Sequence, residues 1–563
     1  MRTLKRIFHY YFQNPITVPP FNKKAALIGG ILLIIAGIRV YYNLYHYMDI
    51  VYGDEVVYMK TGLNLTKDFN RDWGPLYGIW YKLLSYFIQD SVQLYYFNYA
   101  FIAIIATVMI YLAFLAMNIH PLVALYFAIC FVSSRAIVPM WPRISLFTIT
   151  ILMAGVIIVS RMRELYIRLL VFSVVLLLAS YARPELYLSF IISITILVLY
   201  YFAEKKYLKK FSPYRFVVFV LIVALLHLIF QFPSNTYNGY PRNLAAFYQH
   251  YFVNLFFQHK ATEYDWIYWK DMYKTVFGNS QSIFDIIFHY PKEFFSHILY
   301  NIKNYTIEIF TKNLAIISPY LFGMNKMYFA GSVSVFLFSI VLLFFKNIRQ
   351  SFLQSLKSQV FFLIMLMIWG LPTFISSIVI FPREHYILLN YFLFIVPLAL
   401  LFSIFVRQFS FLNSNKYLLV LALVFIPFLS SSKYFSFFLT DHDKNNMCSR
   451  KALEHIKNMH LDKNKQYMFF ADIHYFIGFL PNNFKEINTM FDKTKDIPFS
   501  TILEYHKPDF ILVNNCINYS PSLNNDATWH TFIKNPYTYG YHYEFVKDCP
   551  YYYLVRNSVN DKK

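Results

Sequence analysis

The chain has 563 residues, of which 58% are hydrophobic and only 14% charged, with a mean hydropathy of +0.41. Soluble domains carry roughly 25% charged residues, so the composition excludes an ordinary soluble enzyme and indicates a membrane protein. The formal net charge of +21 does not mark a nucleic-acid binder: the Lys and Arg residues sit in short loops and in the tail, where they orient the chain and meet anionic lipid, and no groove-reading motif is present.

Arg2, Lys5, Arg6, Lys23 and Lys24 precede a first apolar run from Ala25 to about Tyr42. That run is too long for a signal-peptide core and no small-residue cleavage site follows it. It is predicted to be an uncleaved first helix with its N-terminus in the cytoplasm. Further apolar runs cover 92–116, 119–135, 143–160, 167–182, 186–203, 215–232, 326–345, 359–379, 385–406 and 416–432. A bilayer core needs about 20 apolar residues per helix, so the pattern predicts about eleven spans. An odd number places the C-terminus outside the cytoplasm.

Loop charge agrees with that topology. The predicted cytoplasmic loops include Arg161, Arg163 and Arg168; Lys205, Lys206, Lys209 and Lys210; Lys346 and Arg349; and Arg407 to Lys416. The first outer segment, 43–91, instead carries Asp49, Asp54, Glu55, Asp68, Asp72 and Asp90 against four Lys or Arg. A second outer segment, 233–325, holds amphipathic stretches at 283–290 and 291–300 that suit an interfacial position. The 50 Tyr and 61 Phe residues suit aromatic belts at both membrane surfaces. No inverted pair of halves is evident, which argues against a secondary transporter.

The tail, 433–563, reads as a small α/β domain. A helix at 451–459 leads to strands at 467–472 and 486–491, a helix near 498–505, and strands at 509–514 and 551–556. No Gly-rich phosphate loop occurs there. Of the four cysteines, Cys130 lies in an apolar run, whereas Cys448, Cys516 and Cys549 lie in the tail. One disulfide with one cysteine left over is expected outside the cytoplasm, with the pairing open. No CxxC spacing suggests a metal ribbon or redox motif. Sequons at Asn64, Asn304 and Asn518 fall in outer segments.

Ionisable residues near a membrane surface are functional candidates by default. Asp54 and Glu55 follow the first run by about a dozen residues. The functional reading is a general base or a metal ligand; an Asp-Glu start equally suits a helix N-terminus and its dipole. Neighbouring side chains on a helix point in different directions, which favours Asp54 over Glu55. Trp73-Gly74-Pro75-Leu76-Tyr77 forms a tight turn into the next helix, with Trp73, Pro75 and Tyr77 as a wall beside the carboxylates. Arg143, Arg183, Arg383 and His385 are cationic candidates at outer loop–helix junctions, where such side chains serve as snorkelling anchors. A divalent cation is a candidate cofactor, held by Asp54 and Glu55 with Glu263, Asp265 or Asp271. HExxH and paired-His spacings are absent.

The Asp54-Glu55 pair after the first helix, the Gly74-Pro75-Leu76 loop and the Phe381-Pro-Arg383-Glu384-His385-Tyr386 segment together resemble the GT-C superfamily of integral-membrane glycosyltransferases. The protein O-mannosyltransferase and lipid A aminoarabinose transferase branches are similar in style. Family members often carry Pro-Pro-Leu where this chain has Gly74-Pro75-Leu76. The resemblance covers residues 1–432 and implies a GT-C-like polytopic α-helical membrane protein with a C-terminal extracytoplasmic α/β domain. It also implies a polyprenyl-phosphate sugar donor and a glycan, lipid or protein acceptor. Asp54 would take the acceptor proton and the cations would hold the leaving phosphate, with inversion at the anomeric carbon. A bacterial inner membrane is the expected location. The alternative class is a transporter or flippase of lipid-linked saccharides.

Overall fold

The computed structural model describes residues 22–65, 74–203, 213–233, 236–237, 240–262, 265–266, 269–318, 325–429, 447–459, 461–471, 476–487, 498–514, 523 and 525–559. Trp73, Glu263, Cys516 and Asn518 lie outside these residues, as do Arg2, Lys5, Arg6, Asp68, Asp72 and the basic 204–210 loop.

The protein is predominantly helical with a small sheet near its C-terminus. Each of the eleven apolar runs is a helix, because uninterrupted Leu, Ile, Val, Phe and Ala leave backbone hydrogen bonds to be made within the segment. Among the described residues, four are long and apolar enough to cross a membrane: Lys23–Tyr47, Ser91–Ala116, Val360–Val379 and Glu384–Arg407. A fifth is possible if Phe329–Phe344 and Lys346–Ser358, bent by 99°, form one span. Six more apolar helices are shorter: Pro121–Val132, Ile144–Ser160, Leu165–Ser180, Leu186–Tyr200, Tyr214–Phe230 and Lys416–Phe428. The run at 119–135 is shortened to twelve helical residues, since His120 caps its start and Ser133 ends it. The coarse reading, an integral membrane protein, fits these helices.

The chain divides into two compact units. The first comprises residues 1–42, 69–77 and 99–434. Hydrogen bonds tie its apolar helices: Tyr111 donates to the Ala25 carbonyl at 2.7 Å, and the Ser173 and Ser193 hydroxyls share a bond at 2.8 Å. Such pairs matter where apolar side chains gain little by leaving lipid. The segment after residue 240 builds an aromatic core of its own from Phe247, Tyr248, Trp269, Tyr273, Phe277 and Phe294. It then continues as a single helix, Pro291–Ile316, well beyond the ten residues whose amphipathic pattern marked it.

The second unit comprises residues 43–68, 78–98 and 435–563, joining the first outer segment to the tail. Among the described residues its sheet has five strands: β1 Tyr467–Ala471, β2 Phe484–Ile487, β3 Phe510–Val513, β4 Tyr541–Phe545 and β5 Tyr552–Arg556. The spatial order is β2-β1-β3-β5-β4, with β1 parallel to β2 and β3 and the other pairs antiparallel. Strand β4 was not anticipated. Its Tyr-His-Tyr-Glu-Phe sequence is half-exposed and polar, as an edge strand should be, so no apolar run announces it. Cys448 and Cys549 form a disulfide across 101 positions, which resolves the pairing left open by the sequence. Cys130 is buried with a free thiol.

Candidate functional site

The carboxylate pair opens a short helix, Asp54–Leu63, in the second unit. Gly53 precedes it at φ 117°, a conformation that side chains rarely adopt, and its carbonyl accepts from Val56 N at 3.0 Å. Both acids lie in the first turn, where the helix dipole favours negative charge. They part there: Asp54 is half-buried, whereas Glu55 is 1% exposed.

Glu55 is held by buried donors. Tyr81 donates its hydroxyl to Glu55 Oε1 at 2.5 Å, and Asn98 Nδ2 reaches the same oxygen at 3.2 Å. Asn98 Nδ2 also donates to Tyr81 Oη at 2.8 Å, while Trp80 Nε1 donates to Asn98 Oδ1 at 2.8 Å. An indole N–H can only donate, so it orients the Asn98 amide with its NH2 toward Glu55 and Tyr81. Gly62 closes the helix against its neighbour: a Cβ there would stand 2.4 Å from the Gly78 carbonyl oxygen.

The tail braces this helix. Val56 packs so tightly on Gly478 that a Cβ at 478 would meet its Cγ1 at 2.4 Å. The Tyr52 ring lies 5.6 Å from Phe476 and its hydroxyl donates to the Ser449 carbonyl at 3.2 Å. Asp49 accepts from the Ser449 and Arg450 backbone N–H groups at 2.9 and 3.0 Å. It thereby caps the helix Cys448–Asn458, whose own N-cap residue, Met447, supplies no side-chain bond. At the other end of that helix, Lys457 pairs with Asp90 at 2.8 Å. Burial raises the Asp90 carboxyl, but the Lys457 ammonium and the backbone N–H groups of Gln93 and Val92 outweigh it and hold the pKa below the usual value. On β2, burial pushes Glu486 up to about 7, against the opposing pull of Lys60 on the carboxylate helix.

The cationic candidates lie in the first unit. Arg183 follows the helix Leu165–Ser180 and pairs with Glu185 through Nε at 2.6 Å. Its Nη1 donates to Ser145 Oγ at 2.5 Å and to the His385 carbonyl at 3.0 Å, and its guanidinium lies 4.8 Å from the Tyr386 ring. Arg183 and His385 are therefore brought together. Arg383 is half-buried at the N-cap of Glu384–Arg407, 6.0 Å from the Phe381 ring. His250 stacks on that ring at 5.2 Å. Burial, then the charge of Arg383, holds the His250 imidazole well below its usual pKa.

Arg143 is committed differently. It is 0% exposed, its Nη1 and Nη2 donate to the Ile137 and Val138 carbonyls at 2.8 and 2.7 Å, and it lies 3.4 Å from the Tyr99 ring. That geometry clamps the backbone before helix Ile144–Ser160. Of the turn, Pro75 and Tyr77 start the helix Pro75–Ser85; Leu76 N donates to the Tyr181 carbonyl at 3.2 Å and Tyr77 packs 5.2 Å from Phe147.

A polar stripe on helix Pro291–Ile316 escaped the sequence reading. His297, Asn301, Tyr305, Glu308 and Lys312 recur at spacings of four, four, three and four, one face of a helix, and that period was the available signal. His297 Nε2 meets the Val379 and Ile380 carbonyls at 3.1 Å, and Asn301 Nδ2 donates to the Ile378 carbonyl at 2.8 Å. Together they satisfy the end of helix Val360–Val379. Burial lowers His297 to about 4, so the ring is neutral. Further along, Lys312 pairs with Glu384. Glu308 is pushed up by burial and by Glu384, against the pull of Lys312.

Among the described residues no three His, Cys, Asp or Glu side chains converge as a metal site. Asp265 accepts from Thr262 N and Oγ1 at 2.7 and 2.8 Å, and Asp271 lies in the first turn of helix Trp269–Phe277. No family model, curated protein or solved structure matches the chain.

Proposed function

We propose that this protein is a polytopic membrane glycosyltransferase of the GT-C type. It transfers one sugar from a polyprenyl-phosphate donor to an acceptor hydroxyl on the extracytoplasmic face. The observation that carries the reading is the start of helix Asp54–Leu63: Glu55 is buried and fixed by Tyr81 and Asn98, and half-buried Asp54 stands beside it on the same first turn. A general base needs that combination of fixed position and access. The resemblance of residues 54–55, 74–76 and 381–386 supports the same assignment.

In this mechanism Asp54 accepts the proton of the acceptor hydroxyl as its oxygen bonds to the anomeric carbon. The bond from that carbon to the phosphate oxygen breaks, and polyprenyl phosphate leaves with the electron pair. Attack from the opposite face inverts the centre. Arg183, with Arg383 and His385, offers donors on the first unit that suit a phosphate.

The eleven apolar helices support an eleven-span topology, in which the six shorter ones cross within the bundle. The Cys448–Cys549 disulfide supports a tail in an oxidising compartment, hence an extracytoplasmic C-terminus. A bacterial inner membrane fits this arrangement.

One observation favours the transporter or flippase reading: the Glu308–Lys312–Glu384 group on facing helices resembles the ion pairs of substrate pathways. Membranes carrying the protein, supplied with a panel of radiolabelled polyprenyl-phosphate sugars, separate the two. Label that moves from lipid to acceptor supports the transferase; label that changes leaflet while staying on lipid refutes it.

A further inference from the structure

Arg168 lies in the first turn of helix Leu165–Ser180, whereas Arg183 follows its other end, with roughly 18 Å of helix between them at the helical rise. Helical side chains lean toward the N-terminus, so its guanidinium reaches back over the preceding turn. There Nε donates to the Met162 carbonyl at 2.7 Å, and the Phe361 ring lies 5.5 Å from the guanidinium carbon. The side chain is 1% exposed, yet neither Nη1 nor Nη2 has a hydrogen-bond partner among the described residues.

A buried guanidinium with an empty fork is costly unless something anionic meets it. Among the described residues no acid does so. Glu164 is the acid of the 161–168 turn, and it is half out in solvent, paired with Arg215 at 2.8 Å. Glu164 also makes no side-chain cap, so the first-turn N–H groups of the helix add their partial positive charge to the same place. Arg161 and Arg163, exposed on the turn, extend the positive field.

We propose that Arg168 is the anchor of a phosphate-binding site at the amino end of helix Leu165–Ser180. The two Nη groups would grip one phosphate bidentately, and the helix terminus would take a further oxygen. Two sources share this chemistry: the headgroup of an anionic phospholipid, and free inorganic phosphate. The site does not depend on the transferase reading.

The test uses the full-length protein purified in detergent. Its thermal transition is followed during titration with short-chain phosphatidic acid, inorganic phosphate or acetate. A ligand of the folded state raises Tm with concentration. Phosphatidic acid or inorganic phosphate, but not acetate, should raise Tm in the wild type. The midpoint should be about tenfold higher or more in Arg168→Gln, the weight of one or two charge-assisted hydrogen bonds. A response to lipid alone assigns the headgroup, and an equal response to both assigns free phosphate. Arg215→Gln, which leaves the fork intact, should titrate as the wild type. If Arg168→Gln does not fold, Arg168→Lys keeps the charge without the fork and should show the weakened titration. Wild-type Tm unmoved by either phosphate, moved equally by acetate, or moved equally in the Arg168 variants, would overturn the proposal.

Discussion

Tyr81 donates its hydroxyl to Glu55 Oε1 at 2.5 Å, and both side chains are buried. The bond joins the helix that begins with Asp54 to the helix that begins with Pro75. In the proposed mechanism Glu55 fixes the first turn that carries Asp54.

Tyr81→Phe removes a donor from a buried carboxylate and should destabilise the protein by about 1–3 kcal/mol. Asn98 still bonds Glu55, so the loss should be smaller than that of the double variant Tyr81→Phe/Asn98→Leu. Thermal unfolding of the purified protein measures both. Equal stability of Tyr81→Phe and wild type would show that the bond contributes nothing.

Asp49 caps helix Cys448–Asn458 from a segment 400 positions away. Asp49→Ala should cost about 0.5–2 kcal/mol, the range for a lost N-cap. Removing the disulfide by Cys448→Ser/Cys549→Ser should cost about 2–5 kcal/mol, since it closes a loop of roughly a hundred residues. A reductant should lower the Tm of the wild type and leave that of the double variant unchanged.

Much of this architecture was readable in the sequence. Long apolar runs dictate helices, and all eleven are found. The Asp-Glu start of a helix after Gly53 was legible for the same local reason. The partners of Glu55 were not. Tyr81 and Asn98 lie in aromatic-rich helices where nothing local separates them from belt residues, and only tertiary packing selects them. Asp49 looked like one more acid of an outer loop, because the N–H groups it caps belong to the tail. Arg143 and Arg183 share a loop–helix context, and their divergence, one clamped on carbonyls and one beside His385, depends on contacts 38 to 202 positions apart for Arg183.

Glu486, with a pKa of about 7 in the folded protein and an ordinary value near 4.5 when unfolded, makes stability pH-dependent. Between these values the folded state holds the proton that the unfolded state has released, so stability falls as pH rises through that window and stays lower above it. Glu486→Gln should flatten this decline and raise stability above pH 7 by about 1–3 kcal/mol. A pH series of thermal melts, wild type against variant, checks both sign and window. A variant that declines as steeply as the wild type would assign the effect elsewhere.

Arg183→Gln should raise the KM for the polyprenyl-phosphate donor and lower kcat, as expected for a cation that strengthens its hold when the phosphate leaves. Arg143→Gln should act through folding, with a lowered Tm as its first sign. A change in donor KM for Arg143→Gln at unchanged Tm would contradict this division.

The most direct test of the central claim is the initial rate of sugar transfer in Asp54→Asn against wild type, at matched membrane levels and saturating donor. Asparagine preserves shape and removes the base, so the rate should fall by about 10²–10⁴-fold while donor binding persists. Transfer at the wild-type rate in Asp54→Asn would contradict the assignment of Asp54 as the base, and with it the proposed mechanism.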